Sequence, residues 1–184
     1  MRFWPYSFVI AISVLVPSCS GQTHDSCRAK RLPPGGAAFL GDRYPGWRIK
    51  NMSDLISGDR ALWAKAHPKG CPGIAIGHFE QSNFLTYVVL MVPKPRPTHG
   101  FKILILKKLP SGNNYTGQVL DQSDGEYSAS GLVIAKAPPG KYSDFEGTAQ
   151  VQVNLDAILV EWIEKASVLY YWENGKYRKV QTSD

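Results

Sequence analysis

The sequence predicts an α+β domain built mainly on antiparallel sheet, and three observations predict it. From Gly73 onward, short runs rich in Val, Ile, Leu, Phe and Tyr alternate with turn residues, as in a meander of strands. Helical periodicity is confined to one stretch on the N-terminal side, Ser53 to His67. Near the end, Trp172-Glu173-Asn174-Gly175-Lys176 sets Asn-Gly between an aromatic strand and an alternating one, the strongest short-range hairpin signal.

The first 18 residues have the organisation of a signal peptide. One positive charge at Arg2 is followed by an apolar stretch from Phe3 to Val16 and then by Ser18, Cys19, Ser20 and Gly21. A membrane-spanning helix needs about 20 apolar residues; this stretch is shorter, contains Pro5 and has no basic cluster after it, so cleavage and export are expected. Leu15-Val16-Pro17-Ser18-Cys19 also resembles the lipobox of bacterial lipoproteins, with Pro17 departing from the usual small residue. That resemblance implies a lipidated Cys19 and an envelope-anchored protein. The rival reading is ordinary cleavage after Ser18 or Ser20, which leaves a periplasmic or extracellular chain.

Three cysteines are an odd number for an exported chain, whose thiols tend to pair. With Cys19 lipidated, Cys27 and Cys71 remain as a pair; the alternative is two free thiols. A bridge between them closes a loop of about 45 residues and stabilises by about 4 kcal/mol in the chain-entropy model. Neither cysteine sits in a C-x-x-C motif or beside a histidine cluster that would signal redox or metal chemistry.

Residues 19–46 are rich in Gly, Pro and polar residues, including Pro33-Pro34-Gly35-Gly36, and read as a flexible N-terminal arm before a single globular domain over 47–184. In the helical stretch, Ser53 and Asp54 suit the first turn, while Leu55, Ile56, Leu62, Trp63 and Ala66 form an apolar side. Gly58 weakens its middle, so it reads either as one helix or as two short turns, the second starting at Ser57. His67-Pro68-Lys69-Gly70 ends it.

Strands follow at Gly73 to Gly77, Phe84 to Val92, Phe101 to Leu109, Tyr115 to Asp121, Leu132 to Lys136, Ala149 to Val153, Ala157 to Ile163, Ser167 to Trp172 and Lys176 to Gln181. Pro93, Pro95 and Pro97 lack N–H donors and mark a connection. Val168-Leu169-Tyr170-Tyr171-Trp172 has no polar face, which predicts a central strand covered on both sides, one of them by the helix.

The wording Asp59-Arg60-Ala61-Leu62-Trp63, His67-Pro68-Lys69-Gly70-Cys71-Pro72-Gly73-Ile74-Ala75-Ile76-Gly77-His78-Phe79, Pro139-Gly140-Lys141-Tyr142-Ser143-Asp144 and Tyr170-Tyr171-Trp172-Glu173-Asn174-Gly175-Lys176 resembles a group of uncharacterised secreted bacterial proteins. The resemblance spans about residues 45–184 and implies export and one domain, with no activity to carry over. Pro72 to Phe79 also resembles one FG-GAP repeat of integrin-type propellers, which implies calcium on an Asp-rich loop. Here His78 stands at the first acidic position and Glu80-Gln81-Ser82-Asn83 replaces that loop, leaving one carboxylate where calcium wants six or more oxygen ligands.

Chemical motifs are few. His24, His67, His78 and His99 lie apart, with no H-E-x-x-H spacing for a metal, and there is no G-x-S-x-G, Walker-type or G-x-G-x-x-G stretch. No catalytic residue, metal or cofactor is implied. Asp121, Asp124, Glu126, Asp144 and Glu146 are the acids from which an acid/base pair would have to come, and Cys71 with His67 the only nucleophile and base pattern. The net charge of +6 is scattered, in groups such as Arg28/Lys30/Arg31 and Lys176/Arg178/Lys179, so it reads as solvated faces and not as a nucleic-acid footprint.

Aromatic residues carry the remaining thread: Trp63, Tyr170 and Trp172 read as packing, Tyr142 and Tyr177 as a possible recognition surface. The expected role is therefore a non-enzymatic, exported module binding a macromolecule, protein or glycan, with membrane contact only through a lipid on Cys19. The alternatives are a secreted hydrolase using a carboxylate or histidine, and a carbohydrate- or calcium-binding module.

Overall fold

A computed structural model describes Cys27, residues 32–110 and residues 112–184. The stretch read as a signal peptide and Cys19 lie outside the described residues. Eleven strands form three antiparallel sheets, with two short helices and one 3-10 turn among the described residues.

The first sheet holds β1 (Trp47–Ile49), β2 (Ile74–Gly77), β3 (Thr86–Pro93), β4 (Phe101–Lys108) and β5 (Tyr115–Ser123), in the order β1-β3-β4-β5 with β2 also on β3. β1 meets β3 at residues 91–93 and β2 meets it at 86–89, so the two short strands lie end to end on one edge of β3. The second sheet runs β11 (Lys176–Ser183), β10 (Ala166–Glu173), β9 (Ala157–Trp162), β6 (Leu132–Ala137). β7 (Gly140–Ser143) and β8 (Gln150–Val153) make a separate hairpin.

The two larger sheets pack face to face. Alternation in β3 and β4 sends Val88, Leu90, Val92, Ile103 and Ile105 into a shared core with Leu132, Ile134, Ile158, Val160 and Tyr170 from the second sheet. The opposite residues, Val89, Met91, Leu104 and Leu106, face outward, where Leu32, Leu40 and the Cys71 side of the disulfide cover them. On the outer face of the second sheet, Leu55 and Trp63 cover Val133, Ala135 and Ile163, while Val153 of β8 and partly buried Tyr142 of β7 cover Leu169 and Tyr171.

Several expectations are met and several shift. The helical stretch divides into two, but before Gly58 and not at it: a 3-10 turn at Met52–Asp54, capped by Asn51, then α2 at Ser57–Ala66, with Gly58 in its first turn. The C-terminal hairpin pairs Glu173 with Lys176, and Asn174 and Gly175 take φ of 50° and 78°. β10 is central, as its lack of a polar face predicts, but its outer cover is the β7–β8 hairpin and not the helix, which lies over β6.

The stretch read as a flexible arm contains α1 (Pro34–Arg43), which packs Leu40 onto the first sheet. Pro34 in the first turn loses no helical hydrogen bond. Gly35 lies so close to β5 that a Cβ there would stand 2.1 Å from the Asn113 carbonyl oxygen. The packed unit therefore reaches back to Leu32, and Cys27 is tied to it by the bridge to Cys71, whose Cα atoms are 4.7 Å apart.

Candidate functional site

The two packed sheets are not laddered to each other, and one of the places where their edges meet lies between β2 and β6. The ladder phase shows which backbone groups this leaves. Leu90 N–H donates to Gly73 C=O, so with the β2–β3 register the polar groups of Ala75 and Gly77 point into the sheet and those of Ile74, Ile76 and His78 point away from it. Ile163 N–H donates to Gly131 C=O, and by the same argument Ile134 and Lys136 turn their polar groups away from β9.

The two outward edges face each other but are not laddered. Ile134 N–H donates to Pro72 C=O at 2.9 Å. Beyond that bond the strands run in the same sense, with the Lys136 side chain reaching over Gly77 and Asp156 bridging both: one of its oxygens accepts from His78 N–H at 2.9 Å, the other faces Lys136 Nζ at 3.5 Å. Between these two ties lies a cavity of about 330 Å³.

The end of α2 and its following loop build the other wall. Trp63, 3% exposed, is held by its indole N–H to Gly70 C=O and stacks on His67 at 4.1 Å between ring centroids. His67 N–H closes the helix on Trp63 C=O, and Gly70 N–H folds back on His67 C=O, which brings Lys69 to the rim and Cys71 into the wall. Ile74, Ala75, Ile134 and Ala135 line it with Pro68 and Gly70; Lys69 and Lys136 are exposed.

The other end of the seam is bolted shut by Lys50. Its N–H donates to Leu90 C=O, on the same edge of β3 as β2, and its ammonium crosses to the carbonyl of Ala129 in the loop before β6. Only 1% of this lysine is exposed. Burial lowers its pKa to about 8 against the pull of Asp54 and Asp59. Asp54 is the counterpart: burial pushes its carboxyl up, but the Arg48 guanidinium, the Asn51 N–H and Lys50 outweigh it, and the net shift is downward.

The residues singled out from the sequence fall in different places. Cys27 and Cys71 form the expected disulfide, and Cys71 lines the cavity. Tyr142 and Tyr177 lie on opposite faces of the second sheet and do not share one surface. Tyr142 is half-buried and donates to Pro138 C=O at 2.6 Å. Tyr177 packs against the inter-sheet core with its hydroxyl buried, and burial followed by the nearby Glu80 carboxylate raises its pKa.

Of the loop acids, Asp121 accepts from the Tyr170 hydroxyl, Glu126 lies 3.5 Å from His99, and Asp144 accepts from Thr148 and Ala149 within its own turn. Among the described residues, no three His, Cys, Asp or Glu side chains group as metal ligands, and no helix is long and apolar enough to cross a membrane. No family model, curated protein or solved structure matches this chain.

In the sequence, one wall of the cavity, His67 to Gly77, stands out for Cys71, for its pairing with His67 and for a short strand. The other wall depends on which strand edges fail to meet, and Lys50 sits in no pattern that distinguishes it from a solvated lysine.

Proposed function

We propose that this chain is an exported, non-enzymatic module that binds another macromolecule, with the unzipped seam between β2 and β6 as its binding site. The observation that carries the reading is the seam itself: a cavity set between two strand edges that are not laddered to each other. Edges of this kind are a liability that folds normally cover or charge, and left open they serve recognition. Export is supported by the signal-peptide organisation of residues 1–18 and by the Cys27–Cys71 bridge, which suits an oxidising compartment. A binding role is favoured over hydrolysis because Asp156, the carboxylate tied to the rim, has both oxygens engaged.

The test is site-directed photo-crosslinking in the producing cells. A benzoylphenylalanine replacing Lys69 is expected to give a discrete covalent adduct, lost when Ala135→Trp fills the cavity. The same probe at Thr116, exposed on β5, is expected to give none. Equal labelling from both positions, or an adduct indifferent to Ala135→Trp, would remove the seam as the binding site.

A further inference from the structure

The outer face of α2 is apolar and basic. Gly58, Ala61, Leu62 and Lys65 stand at i, i+3, i+4 and i+7, on the side away from buried Trp63, and all four are exposed. Ile56, just ahead of the helix, is 66% exposed, more than any other large apolar side chain among the described residues, and Leu62 is 41% exposed. We infer that this face rests on a bilayer carrying anionic headgroups, with Ile56 and Leu62 set among the lipids and Lys65 and Lys69 against the phosphates.

The chemistry of the face is the first support. Its apolar side chains are aliphatic and its remaining positions are small, while Trp63, the one aromatic residue of the helix, is turned into the fold. Protein interfaces turn on aromatic and arginine anchors, which this face lacks; a shallow apolar face edged by lysines suits the headgroup boundary, where long stems carry their ammonium groups up to the phosphates.

Charge is the second. Asp59, the only acid of α2, turns the other way, with its carboxylate 3.1 Å from where a Cβ at Gly131 would stand. Arg60 is held by the carbonyls of Met52 and Leu55. Lys65 and Lys69 have no carboxylate partner among the described residues. An anionic surface supplies the missing counter-charge.

The third is where the chain leaves the packed unit. The lipobox reading puts a lipid on Cys19, eight residues before Cys27, and the Cys27–Cys71 bridge ends that leash two residues beyond Lys69. Eight residues span at most about 28 Å, so the leash keeps the α2 side of the molecule close to the membrane. A lipid chain with a basic, apolar patch is the usual pairing of two weak signals into one stable attachment.

The experiment is photo-crosslinking of the full exported chain on lipid vesicles, read by intact mass. Benzoylphenylalanine replaces Leu62 in one protein and, as the control, Val119, which is exposed on β5 in the other sheet. On vesicles of phosphatidylcholine with phosphatidylglycerol, the probe at Leu62 is expected to add the mass of one phospholipid, and the probe at Val119 to add nothing. Leaving out the phosphatidylglycerol, or adding Lys65→Glu to the same chain, is expected to cut the yield by about fivefold or more, the effect of one lysine near an anionic surface.

Lipid adducts of equal yield from both positions would mean unspecific contact and overturn the assignment of the face. A yield at Leu62 indifferent to the headgroup and to Lys65→Glu would overturn the charge argument. An adduct at Leu62 with a second copy of the chain or with another protein, and none with lipid, would overturn the membrane as occupant, and no adduct at all would overturn the inference entirely. None of these results bears on the seam, which the Lys69 crosslink and its loss with Ala135→Trp test separately.

Discussion

Lys50 makes the stability of this fold rise with pH where most proteins are flat or falling. The lysine is 1% exposed, its ammonium bonds the Ala129 carbonyl, and its pKa is lowered from 10.5 to about 8. The folded chain therefore binds the proton more weakly than the unfolded one. Below pH 8 both states are protonated and the full penalty is present, about 3 kcal/mol for a shift of this size. Between pH 8 and 10.5 the unfolded chain holds more protons than the folded one, so stability climbs with pH. Worked through the linkage relation, the gain from pH 7 to 9.5 is about 2 kcal/mol.

Above pH 10 the tyrosines oppose it. Burial raises the phenols of Tyr170 and Tyr177, so the unfolded chain releases protons that the folded one keeps, and stability falls again. Denaturant unfolding of the oxidised chain at pH 7, 8.5 and 9.5 measures the rise, and Lys50→Met, which keeps the length without the charge, is expected to flatten it. A midpoint that does not move between pH 7 and 9.5, or a rise that persists in Lys50→Met, would refute the argument.

The remaining predictions concern packing and edges. Cys71→Ser opens a bridge spanning 44 residues and is expected to destabilise by about 4 kcal/mol in denaturant titration. Gly35→Ala puts a Cβ against the Asn113 carbonyl and is expected to lower stability by about 1–3 kcal/mol. Gly41→Ala in the same helix meets nothing within 4 Å and is expected to raise it by up to about 1 kcal/mol. Ala75→Pro removes a ladder donor and strands the Val88 carbonyl, an added loss of about 1–3 kcal/mol. One residue on, Ile76→Pro removes a donor outside the ladder and is expected to fold, with only the loss of a half-buried side chain, about 1 kcal/mol.

What the sequence makes legible follows from how local each signal is. Strands such as Phe101–Lys108 announce themselves through β-branched and aromatic runs, and Asn174-Gly175 names its own turn, because both effects are written within a few residues. The disulfide follows from counting thiols. α1 is hidden because Pro33-Pro34-Gly35-Gly36 reads as a breaker, yet the proline sits where a helix tolerates it and the glycine is what lets the helix touch β5. β7 is hidden in the same way by Pro138-Pro139. The division into two sheets is not local at all: strands of both share one alternating pattern, and nothing in Ile74-Ala75-Ile76 or Ile134-Ala135-Lys136 says that their edges stop short of pairing.

The most direct test of the open seam is residue-resolved amide hydrogen exchange on the unliganded chain. The account predicts that Ala75 and Ala135, whose N–H groups point into their ladders, exchange only on global unfolding, while Ile76 and Lys136 exchange orders of magnitude faster. Protection of Ile76 and Lys136 equal to that of their neighbours would mean that β2 and β6 are zipped together, and the binding site proposed between them would not exist.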